Sequence, residues 1–203
     1  MKKYSVAAAA LIMSLCAQPV RRTGIAPQAK AAVQPTKTPE VAARAVSECL
    51  DLQKHGKLPE ARSCFAKLAG SHDPYLRAEA AWGLERYKDS NEQFKIAVAE
   101  SPNNPEYRVR WGRLFLERYN KDDAAKLFAE ALEVDPNYAP AYLGQARVAA
   151  EGFSAKAVEF AHKALELDPK LVEAQELLAY LALEDNDTPK AIEESEKAMK
   201  MSP

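Results

Sequence analysis

A proline returns at a nearly fixed interval through the second half of the chain. Pro102, Pro136, Pro169 and Pro203 are separated by 34, 33 and 34 residues, and each follows a segment of helical character. A period of this length is typical of stacked helical repeats, in which each unit contacts only its neighbours. Because proline lacks a backbone N–H and cannot continue a helix, each of the four predicts the end of one repeat. The pattern predicts an all-α solenoid, which acts through an extended surface.

Small residues recur in phase with these prolines. Two sets of alanines are each spaced by 33 and 34 residues: Ala124, Ala157 and Ala191, then Ala131, Ala164 and Ala198. On the preceding helices a large apolar residue stands before a small one, at Trp111–Gly112, Leu143–Gly144 and Leu178–Ala179. Antiparallel helices approach closely only where side chains are small. Gly112 and Ala131 are therefore predicted to face each other within one helix pair.

One unit resembles the tetratricopeptide repeat (TPR) pattern through the residues Trp111-Gly112-x-x-Phe115, Ala124-x-x-x-Phe128, Ala131 and Pro136. The two following units resemble it with substitutions, because Ala161 and Ser195 stand where the second helix of a TPR carries an aromatic residue. Weaker matches run upstream through Phe65 and Phe94. The resemblance implies an all-α, α-α superhelical TPR solenoid of about five helix-turn-helix repeats, with units at about 40–69, 74–102, 103–136, 137–169 and 171–203.

The first residues have the organisation of a secretory signal. Two lysines precede an apolar run from Val6 to Leu15, which is too short to span a bilayer as a helix. We expect a signal peptide over residues 1–17, with cleavage after Ala17. Cleavage after Ala26 and a mitochondrial transit peptide are alternatives. Lipidation of Cys16 is a further, less favoured alternative, because lipoproteins carry a small residue where Leu15 stands.

Residues 18–39 are rich in proline and alanine and contain no aromatic residue. A stretch of this composition cannot bury enough apolar surface to offset its chain entropy, so it predicts a disordered linker. Residues 1–39 hold six basic residues and no acidic one, which leaves the rest of the chain with a net charge of −7. A nucleic-acid binder requires a basic stripe. No nucleic-acid partner and no stable membrane span are therefore expected.

The first helix of each repeat is predicted to carry two stripes of residues. Arg108, Trp111, Gly112 and Phe115 follow the i, i+3, i+4, i+7 spacing of a core-facing stripe. In TPR proteins a second stripe lines the concave groove where ligands lie. The resemblance therefore implies a groove for a protein or peptide ligand, formed by Arg113, Leu116, Glu117, Gln145, Val148, Glu176, Tyr180, Leu183 and Glu184. Packing against the neighbouring first helix is the alternative for Val148 and Leu183.

The charges of this predicted groove bear on its ligand. Some TPR domains grip a terminal carboxylate with a cluster of lysine, asparagine and arginine, and this stripe offers Arg113 without those partners. Glu176 and Glu184 are expected to favour a basic or neutral ligand over an acidic one.

Residue types that carry catalysis are not arranged for it. His55, His72 and His162 lie far from one another and from any cysteine at metal-ligand spacing. The sequence has no glycine-rich phosphate loop, no G-x-S-x-G turn and no H-E-x-x-H motif. We therefore expect no enzymatic activity, no cofactor and no metal site.

Two cysteines are placed symmetrically about the turn of the first helix pair. Cys49 and Cys64 lie equally far from the turn at Gly56, and residues equidistant from the turn of an antiparallel hairpin lie opposite each other. An oxidising compartment would allow a disulfide between them. The alternative is two buried free thiols that act as small apolar side chains.

These features together predict an exported, non-enzymatic TPR scaffold in the periplasm or outside the cell. The alternative is the N-terminal TPR segment of a larger exported protein, such as a peptidase-like one, because TPR arrays usually finish with a polar capping helix and Pro203 stands on a repeat boundary. The predicted final helix, Pro189 to Met201, carries Ile192 and Met199 with no following repeat in this sequence. It is expected either to self-associate through this C-terminal repeat or to fray.

Overall fold

The computed structural model describes residues 39–118, 120–152 and 155–201. The predicted signal peptide and nearly all of the predicted linker lie outside these residues. Within them the chain forms ten α-helices and no strand. The helices are α1 (Pro39–Lys54), α2 (Leu58–Leu68), α3 (Pro74–Gly83), α4 (Tyr87–Glu100), α5 (Pro105–Glu117), α6 (Lys121–Val134), α7 (Ala139–Ala150), α8 (Lys156–Leu167), α9 (Val172–Glu184) and α10 (Thr188–Met201).

Consecutive helices form five pairs, from α1 with α2 to α9 with α10, and each pair packs on the next. First helices of neighbouring pairs also contact each other, at α1 with α3, α5 with α7 and α7 with α9. The predicted all-α repeat solenoid is confirmed by this arrangement.

Helix starts follow local signals in the sequence. Helices α3 and α5 each begin with a proline, whose missing N–H costs nothing at that position. The residue before the proline caps the helix: Asp73 Oδ1 accepts a hydrogen bond from the N–H of Tyr75 at 2.9 Å, and Asn104 Oδ1 accepts one from Glu106 at 3.0 Å. The caps set where each first helix begins, and so fix its register against its partner.

The seam between the third and fourth pairs centres on Phe128, which is fully buried. A Cβ placed on Gly112 would lie 2.7 Å from this ring, and one placed on Gly144 would lie 2.4 Å from it. Both glycines therefore admit the same aromatic side chain, one from its own pair and one from the next. The expected contact between Gly112 and Ala131 is wrong in detail, because the atoms nearest to Gly112 belong to Phe128, while Ala131 is buried in the same cluster.

Gly144 is not the counterpart of Gly112 in the repeat. Gly112 meets the aromatic ring of its own pair, whereas Gly144 meets the ring of the preceding pair. The residue 34 positions after Gly112 is Ala146, which is fully buried and packs with Ala161 and Leu178. The Leu143–Gly144 register is therefore wrong by two residues on α7.

A disulfide joins the two helices of the first pair. The Cys49 and Cys64 sulfur atoms are 1.97 Å apart, and the Cα atoms are 5.5 Å apart, within the usual range for a disulfide. Cys49 is fully buried beside Phe65 and Ala61. The bridge ties α1 to α2 at the edge of the solenoid, where a helix pair has only one neighbour.

Candidate partner-binding groove

An open cleft of about 370 Å³ runs along the first helices α1, α3 and α5, and the start of α9 also reaches it. We call it the inner cleft, and its lining includes Leu50, Gln53, Lys54, Glu79, Trp82, Arg110, Arg113, Glu117 and Glu173. Residues from four repeats thus converge on one surface. Most of them carry a charge or a hydrogen-bonding group.

The most deeply buried charge of the inner cleft is Glu79 on α3, whose side chain is 1% exposed. Arg110 on α5 donates from Nε and Nη2 to its two carboxylate oxygens, each at 2.6 Å. The same guanidinium lies over the indole of Trp82, 4.8 Å from the ring centre. Burial opposes the charged form of Arg110, but the Glu79 carboxylate outweighs it and raises the pKa of Arg110. Glu79 and Arg110 therefore satisfy each other and hold α3 to α5.

Arg113, one turn further along α5, has no such partner. Its Nε is buried, and no described residue places a hydrogen-bond acceptor within reach of it. Burial lowers the pKa of Arg113 to about 10, the nearby charges of Arg110 and Arg147 lower it too, and the opposing effects of Glu117 and Glu173 are smaller. Arg113 still carries its charge at neutral pH, with hydrogen-bond donors that are poorly satisfied.

Two acids near the cleft are bonded to other donors. Trp82 Nε1 donates to Glu117 Oε2 at 3.0 Å, and the Tyr75 hydroxyl donates to Glu106 Oε1 at 3.1 Å. Burial raises the pKa of Glu106, although the hydrogen bond from Tyr75 opposes this. These bonds leave fewer carboxylate lone pairs to compensate Arg113.

A second surface lies between α9 and α10 at the other end of the solenoid. This C-terminal groove measures about 780 Å³, and its lining includes Glu176, Ala179, Tyr180, Leu183, Ala191, Ile192, Ser195, Glu196 and Met199. Its large apolar side chains are open to solvent, with Tyr180 53%, Leu183 58%, Ile192 56% and Met199 68% exposed. The neighbouring carboxylate of Glu184 raises the pKa of Tyr180. The groove is therefore apolar at its centre and acidic at its edge.

The predicted groove residues divide between these two surfaces. Arg113 and Glu117 lie in the inner cleft, whereas Glu176, Tyr180 and Leu183 lie in the C-terminal groove with Glu184 beside them. The two surfaces share α9, since Glu173 at its start reaches the inner cleft. A ligand role for any of these residues stays a prediction.

Three of the predicted residues line neither surface. Leu116 and Val148 are partly buried and pack against the cluster that surrounds Phe128. The Gln145 amide donates to the carbonyl of Ala125 on α6 at 3.0 Å. In the structure these side chains join first helices to α6, and their contact with a ligand stays a prediction.

Sequence reasoning missed Glu79, Trp82 and Arg147. Each stands 34 residues from a residue of the predicted stripe: Glu79 and Arg147 on either side of Arg113, and Trp82 before Leu116. The two-residue register error on α7 selected Gln145 in place of Arg147. The repeat period itself, applied from Arg113 in both directions and from Leu116 upstream, would have found all three.

The described residues offer little for other kinds of site. They contain no group of three or more histidine, cysteine, aspartate or glutamate side chains that could hold a metal ion. Nor is any described helix both long enough and apolar enough to cross a bilayer.

Comparison with known proteins matches this architecture. The family model described as tetratricopeptide repeat matches residues 75–139 and 109–170. These two matches span α3 to α8, including both glycines that contact Phe128.

Solved structures extend the likeness to most of the chain. A thermophilic TPR protein from Thermus thermophilus is 22% identical with a TM-score of 0.65, covering 80% of this chain and 92% of its own. PilW, a widely conserved type IV pilus biogenesis factor, is 18% identical with a TM-score of 0.58, covering 81% and 79%. MamA from Desulfovibrio magneticus RS-1 is 22% identical with a TM-score of 0.53, covering 79% and 94%. The repeat period, the helix pairs and the family match agree, and this chain belongs to the tetratricopeptide repeat family.

Proposed function

We propose that this protein is a non-enzymatic scaffold that binds a protein partner through the inner cleft and the C-terminal groove. The TPR fold supports protein–protein interaction, and TPR proteins are generally non-catalytic scaffolds. The observation that carries the proposal is the C-terminal groove, where Tyr180, Leu183, Ile192 and Met199 expose apolar surface on one continuous face. A contiguous apolar patch with a polar rim is typical of a protein-binding site.

A site-specific photocrosslinker tests this proposal in the host cell. A benzophenone amino acid at Tyr180 should give discrete adducts with one or a few proteins. The same group at Lys95, which is exposed on α4 and lines neither surface, is the matched control. The same pattern of adducts at both positions, or none at Tyr180, would contradict a partner site in the groove.

Export is the second part of the proposal. It is supported by the apolar run from Val6 to Leu15 and by the geometry of the Cys49–Cys64 disulfide, since disulfides persist mainly in oxidising compartments. We place the protein in the periplasm or outside the cell. N-terminal sequencing from the host should find Gln18 or a residue shortly after it. A diacylated Cys16 would make the protein a lipoprotein, and an intact Met1 in the cytoplasm would contradict export.

Self-association through the C-terminal repeat is the third part. The exposed face of α9 and α10 is the kind of face that a following first helix covers elsewhere in the solenoid, as α9 covers α8. A second copy is one occupant of this face, and a further repeat in a longer chain would cover it equally well. Light scattering across a concentration series should show a dimer that Met199→Glu abolishes. A strict monomer at every concentration would contradict self-association.

A further inference from the structure

Arg113 is a largely buried cation whose donors the fold does not use. Among the arginines on α5, Arg110 is bonded to Glu79, and Arg108 donates to the Pro102 carbonyl at 2.6 Å and lies 3.5 Å from Glu130. The buried Nε of Arg113 has no hydrogen-bond partner among the described residues. Buried polar groups in native proteins are nearly always satisfied, and those that are not call for an explanation.

The surroundings of Arg113 favour an anion. Its nearest cationic neighbours, Arg110 and Arg147, disfavour its charged form more strongly than the acids Glu117 and Glu173 favour it. Glu117 accepts a hydrogen bond from Trp82, and both acids are exposed to solvent, which weakens their effect on a buried charge. An added negative charge would therefore improve the electrostatics of the cleft.

Arg113 also lines the inner cleft, so a ligand can reach it. A guanidinium presents donors in a planar fork that matches the two oxygens of a carboxylate. Trp82, beside the cleft, offers an indole face for the apolar part of a ligand side chain.

We propose that Arg113, supported by Arg147, forms a carboxylate-binding subsite in the inner cleft that fixes an acidic group of the partner. The proposal rests on the proposed function, because it assigns the chemistry of one part of the same binding surface. It differs from the expectation that the groove favours basic or neutral ligands, since that expectation came from Glu176 and Glu184, which belong to the other end. The acidic group is either an aspartate or glutamate side chain or a chain terminus, since both present the same carboxylate.

Three short acetylated peptides, identical except at one group, test the subsite and its source. The first has an internal aspartate and an amidated end, the second an internal asparagine and a free terminal carboxylate, and the third an internal asparagine and an amidated end. The readout is the side-chain Nε–H resonance of Arg113 in the full chain labelled with nitrogen-15. A saturable shift with the first or the second peptide, and none with the third, is the expected result, and it identifies the source. Equal shifts with all three, or no shift with either acidic peptide, would overturn the proposal.

Variants separate a binding role from a structural one. Arg113→Gln should weaken the acidic peptide by about tenfold, the loss expected for a hydrogen bond to a charged group, and should leave the neutral peptide unchanged. Arg113→Lys should restore part of the affinity. Arg44→Gln is the matched control, because it removes the same charge from a side chain that is 84% exposed on α1. A tenfold loss in this control as well would mean that net charge alone is responsible, and would overturn the subsite.

The remaining alternative is that Glu173 pairs with Arg113 in solution. Since an unpartnered buried cation does not stabilise the fold, Arg113→Gln should keep or raise the urea midpoint. Glu173→Gln should strengthen the acidic peptide by removing a competing charge. A lower urea midpoint in both variants would assign Arg113 to an internal ion pair and overturn the subsite. Failure of the proposed function is seen separately, as an absence of adducts at Tyr180 in the crosslinking experiment.

Discussion

Replacing Gly144 with alanine should destabilise the solenoid, although alanine is the better helix former. The new methyl carbon would lie 2.4 Å from the Phe128 ring, about 1 Å inside ordinary contact distance. The ring is fully buried and has little room to retreat, because a Cβ at Gly112 would already lie 2.7 Å from it. Overpacking of this kind costs about 1–3 kcal/mol, and the gain in helix propensity returns about 1 kcal/mol. We expect a net loss of about 1 kcal/mol.

Urea unfolding followed by circular dichroism measures this loss. The matched control is Gly70→Ala, whose Cβ would meet nothing nearer than the Lys67 carbonyl oxygen at 3.6 Å. A second measurement uses Phe128→Leu as the background. There the smaller side chain leaves room, so Gly144→Ala should become neutral or stabilising by up to ~1 kcal/mol. A midpoint that rises when Gly144→Ala is made in the wild-type chain would refute the close approach of α7 to Phe128.

Three further perturbations test separate parts of the structure. Glu79→Gln should cost about 3–5 kcal/mol, because it leaves the buried guanidinium of Arg110 without its carboxylate, and urea unfolding measures the loss. Protein from an oxidising compartment should show no free thiol at Cys49 or Cys64 by alkylation and intact mass, and reduction should cost about 3 kcal/mol in the chain-entropy model; full alkylation without a reductant would contradict the bridge. Ala131→Leu should lower the stability measured by urea unfolding by about 1–3 kcal/mol, since Ala131 is fully buried, and an unchanged midpoint would contradict its place in the cluster.

The repeat pattern predicted the fold well because several signals agree on one period. Prolines, alanines and helix caps are local features, and each can be read without knowing the partner helix. The register on α7 could not be read in this way, because Leu143–Gly144 imitates the large-small pair of Trp111–Gly112. Only the contact of Gly144 with the ring of the preceding pair shows that it serves a different seam.

The inner cleft was harder to predict than the fold for a related reason. Glu79 and Arg110 are 31 residues apart, and nothing in the sequence states that their side chains meet. The isolation of Arg113 follows from the same pairing, since Glu79 is bonded to Arg110. Charge balance at a site depends on which partners are already taken, and that requires the three-dimensional arrangement.

The departures from the TPR pattern become understandable when the seams are compared by volume. Where the second helix carries the large Phe128, the first helices that meet it carry Gly112 and Gly144. Where the second helix carries Ala161, the neighbouring first helix provides the larger Leu178. The seam therefore conserves total volume rather than residue type, as close packing requires. At the equivalent position of α10 stands the small Ser195, and no described helix supplies a large residue opposite it. The space left by that small residue contributes to the C-terminal groove, so the departure from the pattern that preserves packing at Ala161 creates a binding surface at Ser195.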